Sequence, residues 1–284
     1  MKGSLGIALA LALAAAAARG DPIQSEIAIT VPERTTTVRA FVRSTDFSGA
    51  GVDTWELQSE VAYGLTARTN LLLFVPVMEK SARVGGVTRR ARGLGDVALL
   101  VKQRVWKRNR LQTQDRVSLI GGVKLPTGEN GESDRLGRLP HALQPGTGSF
   151  DFPVGILYAH DAPRGFFADL LYTVRTRDSG YRFGNTLRYD LAYTHAVTGG
   201  RPRQHFVWAV LELNGLRGAR DRRRGEGLAD TGGHVLFLSP GLRLVHWSGR
   251  WVVDLSYQIP VMTDYPAGRG DPRRSWLAGL RANF

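Results

Sequence analysis

The sequence contains no cysteine. That excludes a disulfide scaffold, a cysteine-ligated zinc site and thiolate catalysis. Beyond the first 20 residues it also lacks any apolar run long enough to carry a helix across a bilayer, which excludes a multi-span helical membrane protein. Acidic residues are few: Asp and Glu number 25 against 38 Lys and Arg, a net charge of +13 over 284 residues. Such an excess of base suits nucleic acid, an anionic membrane surface or an acidic solute. The six histidines show no close metal-ligand spacing on one strand face, so no metal is expected. The glycine-rich segments precede no helix whose N-terminus would hold a phosphate, and no cofactor is expected either.

What is present begins with a targeting segment. Met1 and Lys2 precede an Ala-rich apolar run from Leu5 to Ala18. Its length is that of a signal-peptide core. Cleavage could follow Ala18 or Gly20, and residues 1–20 are read as the signal peptide with 21–284 as the mature domain. Export argues against a role on nucleic acid. It also removes two of the positive charges, Lys2 and Arg19.

After Thr35 helix signals are scarce and period-2 alternation dominates. Trp251, Val253, Leu255, Tyr257, Ile259 and Val261 alternate with Val252, Asp254, Ser256 and Gln258. Val117, Leu119, Gly121 and Val123 alternate with Arg116, Ser118, Ile120, Gly122 and Lys124, and Leu187, Tyr189, Leu191 and Tyr193 with Arg188, Asp190, Ala192 and Thr194. One face is apolar and aromatic, the other charged with both signs. About 12 strands are predicted, near 34–46, 53–64, 68–78, 93–107, 114–126, 148–160, 164–178, 184–198, 203–215, 231–247, 250–262 and 273–284. They are longer than strands of soluble sheets. Short turns on one side alternate with mostly longer loops on the other, at 79–92, 127–147, 216–230 and 263–272. That is the plan of an antiparallel transmembrane β-barrel of the outer-membrane type.

The C-terminus agrees. Trp276, Ala278, Leu280, Ala282 and Phe284 alternate to the last residue. Outer-membrane proteins commonly end in such an aromatic strand, so Trp276, Leu280 and Phe284 are read as the signal to the barrel-assembly machinery. Trp55, Trp106, Trp247 and Trp251 fall at strand ends, at interface depth. Proline cannot donate to a closed ladder; Pro76, Pro126, Pro153 and Pro260 lie near predicted outer ends, and Pro240 is expected to mark a bulge or a break.

Three segments resemble the meta-pathway phenol-degradation family of outer-membrane proteins, often labelled transporters. They are Gly93-Leu94-Gly95-Asp96, Lys124-Leu125-Pro126-Thr127-Gly128 and Gly146-Thr147-Gly148-Ser149-Phe150-Asp151-Phe152, with the turn Tyr63-Gly64-Leu65-Thr66 before them. The resemblance implies the barrel and the compartment, and more loosely the uptake of aromatic compounds. The insertion 129–145 and the arginine-rich loop 217–224 stand outside that pattern. Physically the motifs read as loop-boundary devices, or as a loop folded into the lumen.

The inward face carries Glu56, Glu60, Lys102, Arg104, Arg116, Lys124, Asp169, Arg175, Arg188, Asp190, Glu212, Arg243, Asp254 and Arg281. Of these, Asp169, Arg175, Arg188, Asp190, Arg243 and Asp254 are singled out as lumen-lining. The mixture of signs suits a salt-bridged lumen or a charge-selective pore. Arg89, Arg90 and Arg92 in one loop and Arg222, Arg223 and Arg224 in another form a basic rim suited to lipopolysaccharide or to steering anionic solutes. His246-Trp247-Ser248 has the His-x-Ser spacing of an outer-membrane phospholipase family but sits at a short turn, so no catalysis is expected. The expected function is passive passage of a small solute, aromatic or anionic, with a non-transporting structural or lipid-modifying barrel as the alternative.

Overall fold

The computed structural model describes residues 20–48, 51–198, 204–266 and 270–284. Residues 1–19 of the expected signal peptide and all of the expected turn at 199–202 lie outside the described residues.

Twelve long antiparallel strands carry the fold. They are β1 (Thr36–Phe47), β2 (Asp53–Gly64), β3 (Thr69–Val84), β4 (in two pieces, Val87–Leu94 and Ala98–Arg110), β5 (Thr113–Lys124), β6 (Asp151–Asp161), β7 (Arg164–Arg175), β8 (Thr186–Thr198), β9 (Phe206–Gly218), β10 (Gly233–Val245), β11 (Trp251–Asp264) and β12 (Pro272–Asn283). Each pairs with its sequence neighbours, and β1 pairs with β12 from Thr37↔Asn283 to Phe47↔Pro272, which closes the barrel. Reciprocal bonds between Thr36 and Phe284 extend that seam to the last residue. Closure leaves the wall itself without an edge, so its strand backbones find their partners within it; the overhanging piece Val87–Leu94 pairs with β3 alone among the described residues.

The burial pattern is inverted relative to a soluble protein. On β11, Trp251 is 45% and Leu255 47% exposed, whereas Val252 and Asp254 between them are fully buried. The same holds on β5, β6 and β8, where Leu119, Ile156 and Leu191 face out and Ser118, Leu157 and Asp190 face in. An apolar wall outside a polar interior is stable only when lipid, not water, is the outer solvent.

The boundaries depart from the sequence reading at one important place. Residues 79–92 are not a loop. They are the far halves of β3 and β4, paired from Val77↔Leu94 to Val84↔Val87. Gly85 and Gly86 both adopt positive φ (59° and 81°), as a two-residue hairpin turn requires. The Gly-Gly pair between two valines was the signal for it. Further along, β4 breaks at residues 95–97, so β3 pairs with each piece in turn. At Ser239 and Pro240 the pairing of β10 with β11 lapses, because the ring nitrogen carries no hydrogen.

Candidate functional site: a strapped lumen

The chain before β1 runs inside the barrel. From the short-turn end at Gly20 it rises to mid-height at Gln24–Glu26, crosses, and descends to Pro32 beside Gly64. An added Cβ at Gly64 would lie 1.9 Å from the Pro32 carbonyl oxygen, so only glycine permits that exit.

Hydrogen bonds from the wall hold this strap. The Glu212 carboxylate on β9 accepts from the amides of Ile23 (2.8 Å), Gln24 (2.9 Å) and Ser25 (3.0 Å), and from the Ser25 hydroxyl. Asp169 accepts from the Glu26 amide at 2.9 Å. Ser118 donates to the Ala28 carbonyl, and Asn70 both accepts from Val31 N–H and donates to its carbonyl. Arg243 bridges two elements: it forks onto Asp254 (2.6 and 2.9 Å) and donates to the Asp21 carbonyl at 2.7 Å. Arg281 pairs with the Asp21 carboxylate at 3.0 Å.

Apolar packing completes the seat. Ala28, fully buried, packs among Leu72, Leu100, Ile120, Leu157, Phe167 and Ala192 of the inner wall, with Ile27 and Ile29 beside it. Ile23 packs on Phe41, Val210 and Leu277. The segment Ile23-Gln24-Ser25-Glu26-Ile27-Ala28-Ile29, bent at Ile23–Ser25 and at Ala28, therefore satisfies both surroundings: backbone and polar side chains meet charged groups, and aliphatic side chains meet the patches between them.

The strap divides the lumen. On the short-turn side lies a cavity of about 430 Å³, whose lining includes Ser25, Glu26, Lys102, Arg104 and Arg281. On the long-loop side lies one of about 730 Å³, whose lining includes Gln24, Arg43, Glu56, Lys80, His141, Tyr181 and Arg188.

The six residues singled out from sequence fall into three groups. Arg243 and Asp254 pair with each other. Arg188 lies 3.2 Å from Asp190 and 3.8 Å from Asp169. Arg175 meets Asp151 at 3.1 Å, and Asp151 also meets Lys124 at 3.1 Å. Glu212, which makes the most strap bonds, was one inward charge among many in the sequence. Nothing in its local pattern announces its partner, because that partner lies 187–189 residues away.

The glycine-rich motifs converge at the long-loop end. Asp96, in the break of β4, accepts from Gly128 N–H (3.0 Å), Thr147 N–H (2.9 Å), the Thr147 hydroxyl (2.6 Å) and Lys124. Burial alone would raise the Asp96 carboxyl, but the hydrogen bonds from Lys124 and Thr147 prevail and hold it below its ordinary value. Gly128, Gly146 and Gly95 pack backbone to backbone; a Cβ on Gly128 would come within 2.7 Å of Gly146 Cα. This clasp pins both ends of the loop 125–150, which folds inward. Leu139 and Leu143 pack on Ala82 and Ala91 of the long hairpin, and Lys80 donates to the Gln144 carbonyl at 2.7 Å.

The basic rim is uneven. Arg89 is buried and forks onto Asp134 (2.8 and 2.7 Å), and Arg90 pairs with Glu79 at 3.3 Å. Arg92, Arg222, Arg223 and Arg224 are exposed. Arg222–Arg223 ladders with Tyr181–Arg182 on one side and Glu226–Gly227 on the other, which holds two loops together. His246 Nδ1 lies 2.8 Å from the Ser248 hydroxyl at a short turn. Among the described residues no group of three or more His, Cys, Asp or Glu is arranged to hold a metal ion.

The family model described as "Putative MetA-pathway of phenol degradation" matches residues 23–267. The chain belongs to this family. The matched region takes in the strap from Ile23 onward, all the clasp motifs and eleven of the twelve strands. No curated protein matches the sequence. Among solved structures, the COG4313 outer membrane channel from Pseudomonas putida F1 superposes with a TM-score of 0.70 at 14% identity, covering 93% of this chain and 100% of that one. The β domain of the Bordetella autotransporter BrkA gives 0.51 at 12% identity, covering 88% and 99%. The NanC porin gives 0.46 at 13% identity, covering 86% and 98%. At these identities the first two likenesses establish the barrel fold and nothing finer.

Proposed function

We propose that this family member is a passive channel of the bacterial outer membrane for small solutes, with the N-terminal strap as its constriction. The observation that carries the reading is the strap dividing a polar lumen into two cavities inside an apolar-walled barrel. A solute crossing the barrel must displace or skirt residues 20–32. The similarity to a solved outer membrane channel supports the same reading.

In this reading residues 1–20 are a cleaved signal peptide, and 21–284 form the barrel with its strap. The short-turn end faces the periplasm and the long loops face outward, as in other barrels of this kind. Of the six charges singled out from sequence, Arg188 and Asp190 line the outer cavity and Arg243 the inner one; Asp169, Arg175 and Asp254 stand behind the route in ion pairs of the wall. The exposed Arg92 and Arg222–Arg224 meet lipopolysaccharide phosphates, for which guanidinium geometry is suited; Arg90, paired with Glu79, contributes less, and Arg89 serves the inward loop through Asp134. Trp276, Leu280 and Phe284 address the barrel-assembly machinery. The protein is not an enzyme, and its partners are outer-membrane lipid and the solute.

Reconstitution in planar bilayers tests the proposal. Discrete conductance or solute flux is expected. A folded barrel that gives neither would leave a non-transporting, structural role, and lipid hydrolysis lost on His246→Ala or Ser248→Ala would replace the channel reading with an enzymatic one.

A further inference from the structure

The outer cavity, about 730 Å³, is within the size range of small-molecule sites, about 300–1,000 Å³. Its chemistry is uneven. At the floor sit Arg43, Arg188 and the strap residue Gln24. Arg43 donates from one terminal nitrogen to Gln24 Oε1 at 3.1 Å. Its Nε, the Gln24 side-chain nitrogen, and Nε and one terminal nitrogen of Arg188 are buried without a hydrogen-bond acceptor among the described residues. Buried donors of this kind are rarely left unmatched. Three carboxylates lie about the same floor: Glu56 is 4.0 Å from Arg43, and Asp190 and Asp169 each present one unmatched oxygen, 3.2 and 3.8 Å from the Arg188 Nε, so two acceptor oxygens stand against four donor nitrogens. The unused capacity is therefore mostly donor capacity.

The wall of the cavity differs from its floor. His141 stacks on Tyr181 with ring centroids 4.1 Å apart and planes 15° apart, and Phe183 meets Tyr181 edge-on at 5.0 Å. These rings come from the inward loop and from the segment before β8, so two loops must be in place to build the wall.

We propose that the outer cavity is a binding site for a small aromatic carboxylate, its carboxylate seated on Arg43 and Arg188 and its ring against His141, Tyr181 and Phe183. An arginine fork matches a carboxylate in plane and number of bonds. An aromatic wall accepts a flat ring by stacking or edge contact. A neutral phenol offers one oxygen and no charge, and so leaves the donors of the floor largely unmatched. Because Gln24 is the apex of the strap, a carboxylate on this floor touches the constriction itself. The inference rests on the channel reading only for its purpose, since binding is measured apart from conduction.

Titration calorimetry of the detergent-solubilised full mature protein tests it, with benzoate, phenol and acetate as probes. Benzoate is expected to bind saturably, with phenol and acetate each at least about tenfold weaker, about 1.4 kcal/mol. Arg43→Gln and Arg188→Gln are each expected to weaken benzoate about tenfold, and Phe183→Leu to narrow the gap between benzoate and acetate. Phenol binding as tightly as benzoate, or no benzoate binding at all, overturns the proposal. So does unchanged benzoate affinity in both arginine variants when each still shows heat-modifiable migration. If those variants do not fold, the three-probe series on the unaltered protein and on Phe183→Leu still decides. Conductance without benzoate binding would sink this site and spare the channel; benzoate binding without conductance would do the reverse.

Discussion

Replacing Glu212 by alanine removes the group that holds the apex of the strap. Three backbone amides and one hydroxyl of residues 23–25 lose their acceptor together. Hydrogen bonds to a charged group contribute about 1.5–3 kcal/mol each, so the amides alone represent roughly 5–9 kcal/mol. Lumen water recovers much of that once the strap lifts, and bonds that share one acceptor are not additive. Even a residual loss of about 2–3 kcal/mol shifts the closed-to-open ratio by about thirtyfold to about a hundred and fiftyfold. The substitution should spare the barrel, because every wall hydrogen bond between backbones remains. Single-channel recording in planar bilayers is the assay: Glu212→Ala should show higher mean conductance and more frequent opening than the unaltered protein, with Glu212→Gln between them. The absence of native cysteine permits a clean control. Ser25 and Asn214 side chains lie 3.4 Å apart, so Ser25→Cys with Asn214→Cys in the Glu212→Ala background should restore the closed level when oxidised and lose it on reduction. Folded Glu212→Ala protein that conducts like the unaltered one would refute the strap as the constriction.

Other consequences are open to measurement. Asp96→Asn removes the charge at the centre of the clasp and should speed hydrogen exchange across residues 127–147 with little change in the barrel strands; unchanged exchange would deny the clasp its role. The same contribution depends on pH. The Asp96 carboxyl is held below its ordinary 3.8 in the folded protein, so its stabilisation is complete above that value and is lost as pH falls through and below it; exchange of the loop at pH 3 should exceed that at pH 5 after correction for intrinsic rates. Gly128→Ala should open the clasp more severely, since its Cβ would come within 2.7 Å of backbone at Gly146 and Gly95, with the same exchange readout. Ala28→Phe overfills a fully buried site and should weaken the strap by about 1–3 kcal/mol, raising conductance while heat-modifiable migration persists. Phe284→Ala removes the terminal aromatic ring beside the closing seam and should lower the yield of folded barrel in outer-membrane fractions; an unchanged yield would remove that residue from the assembly signal.

The barrel was legible in the sequence because its physics is local. Alternation along Trp251–Val261 reports two solvents on two faces, whichever strands lie next door. Turn chemistry is nearly as legible, yet the charged residues beside Gly85-Gly86 give that hairpin the composition of a loop. Lys80, Arg83, Arg89 and Arg90 are in fact strand residues beyond the apolar belt, where charge is no bar to pairing. The strap was not legible at all. Ile23–Ile29 is a short mixed segment whose meaning lies in Glu212, Asp169 and Ser118, far along the chain. The candidate lumen charges were found by their face, but which of them bind the strap and which bind one another depends on three-dimensional distance that alternation does not encode.

The mixture of charge signs in the lumen has an explanation beyond holding strand to strand. Arg243 meets Asp254 on the neighbouring strand, and with the rest of its fork it meets the strap carbonyls of Asp21 and Pro22. Asp169 lies near Arg188 across one strand pair and also accepts from Glu26 N–H. Each charge is thus shared between the wall and the strap. A buried ion pair left with spare hydrogen-bonding capacity is costly in low dielectric, and the strap backbone supplies carbonyls and amides that fill it. Lifting the strap exposes the same groups to lumen water, which fills that capacity in turn. The two states therefore differ by less than the number of bonds suggests, because each alternative satisfies nearly the same donors and acceptors. A near balance of this kind is what a constriction needs if a small solute, binding one side of it, is to tip it.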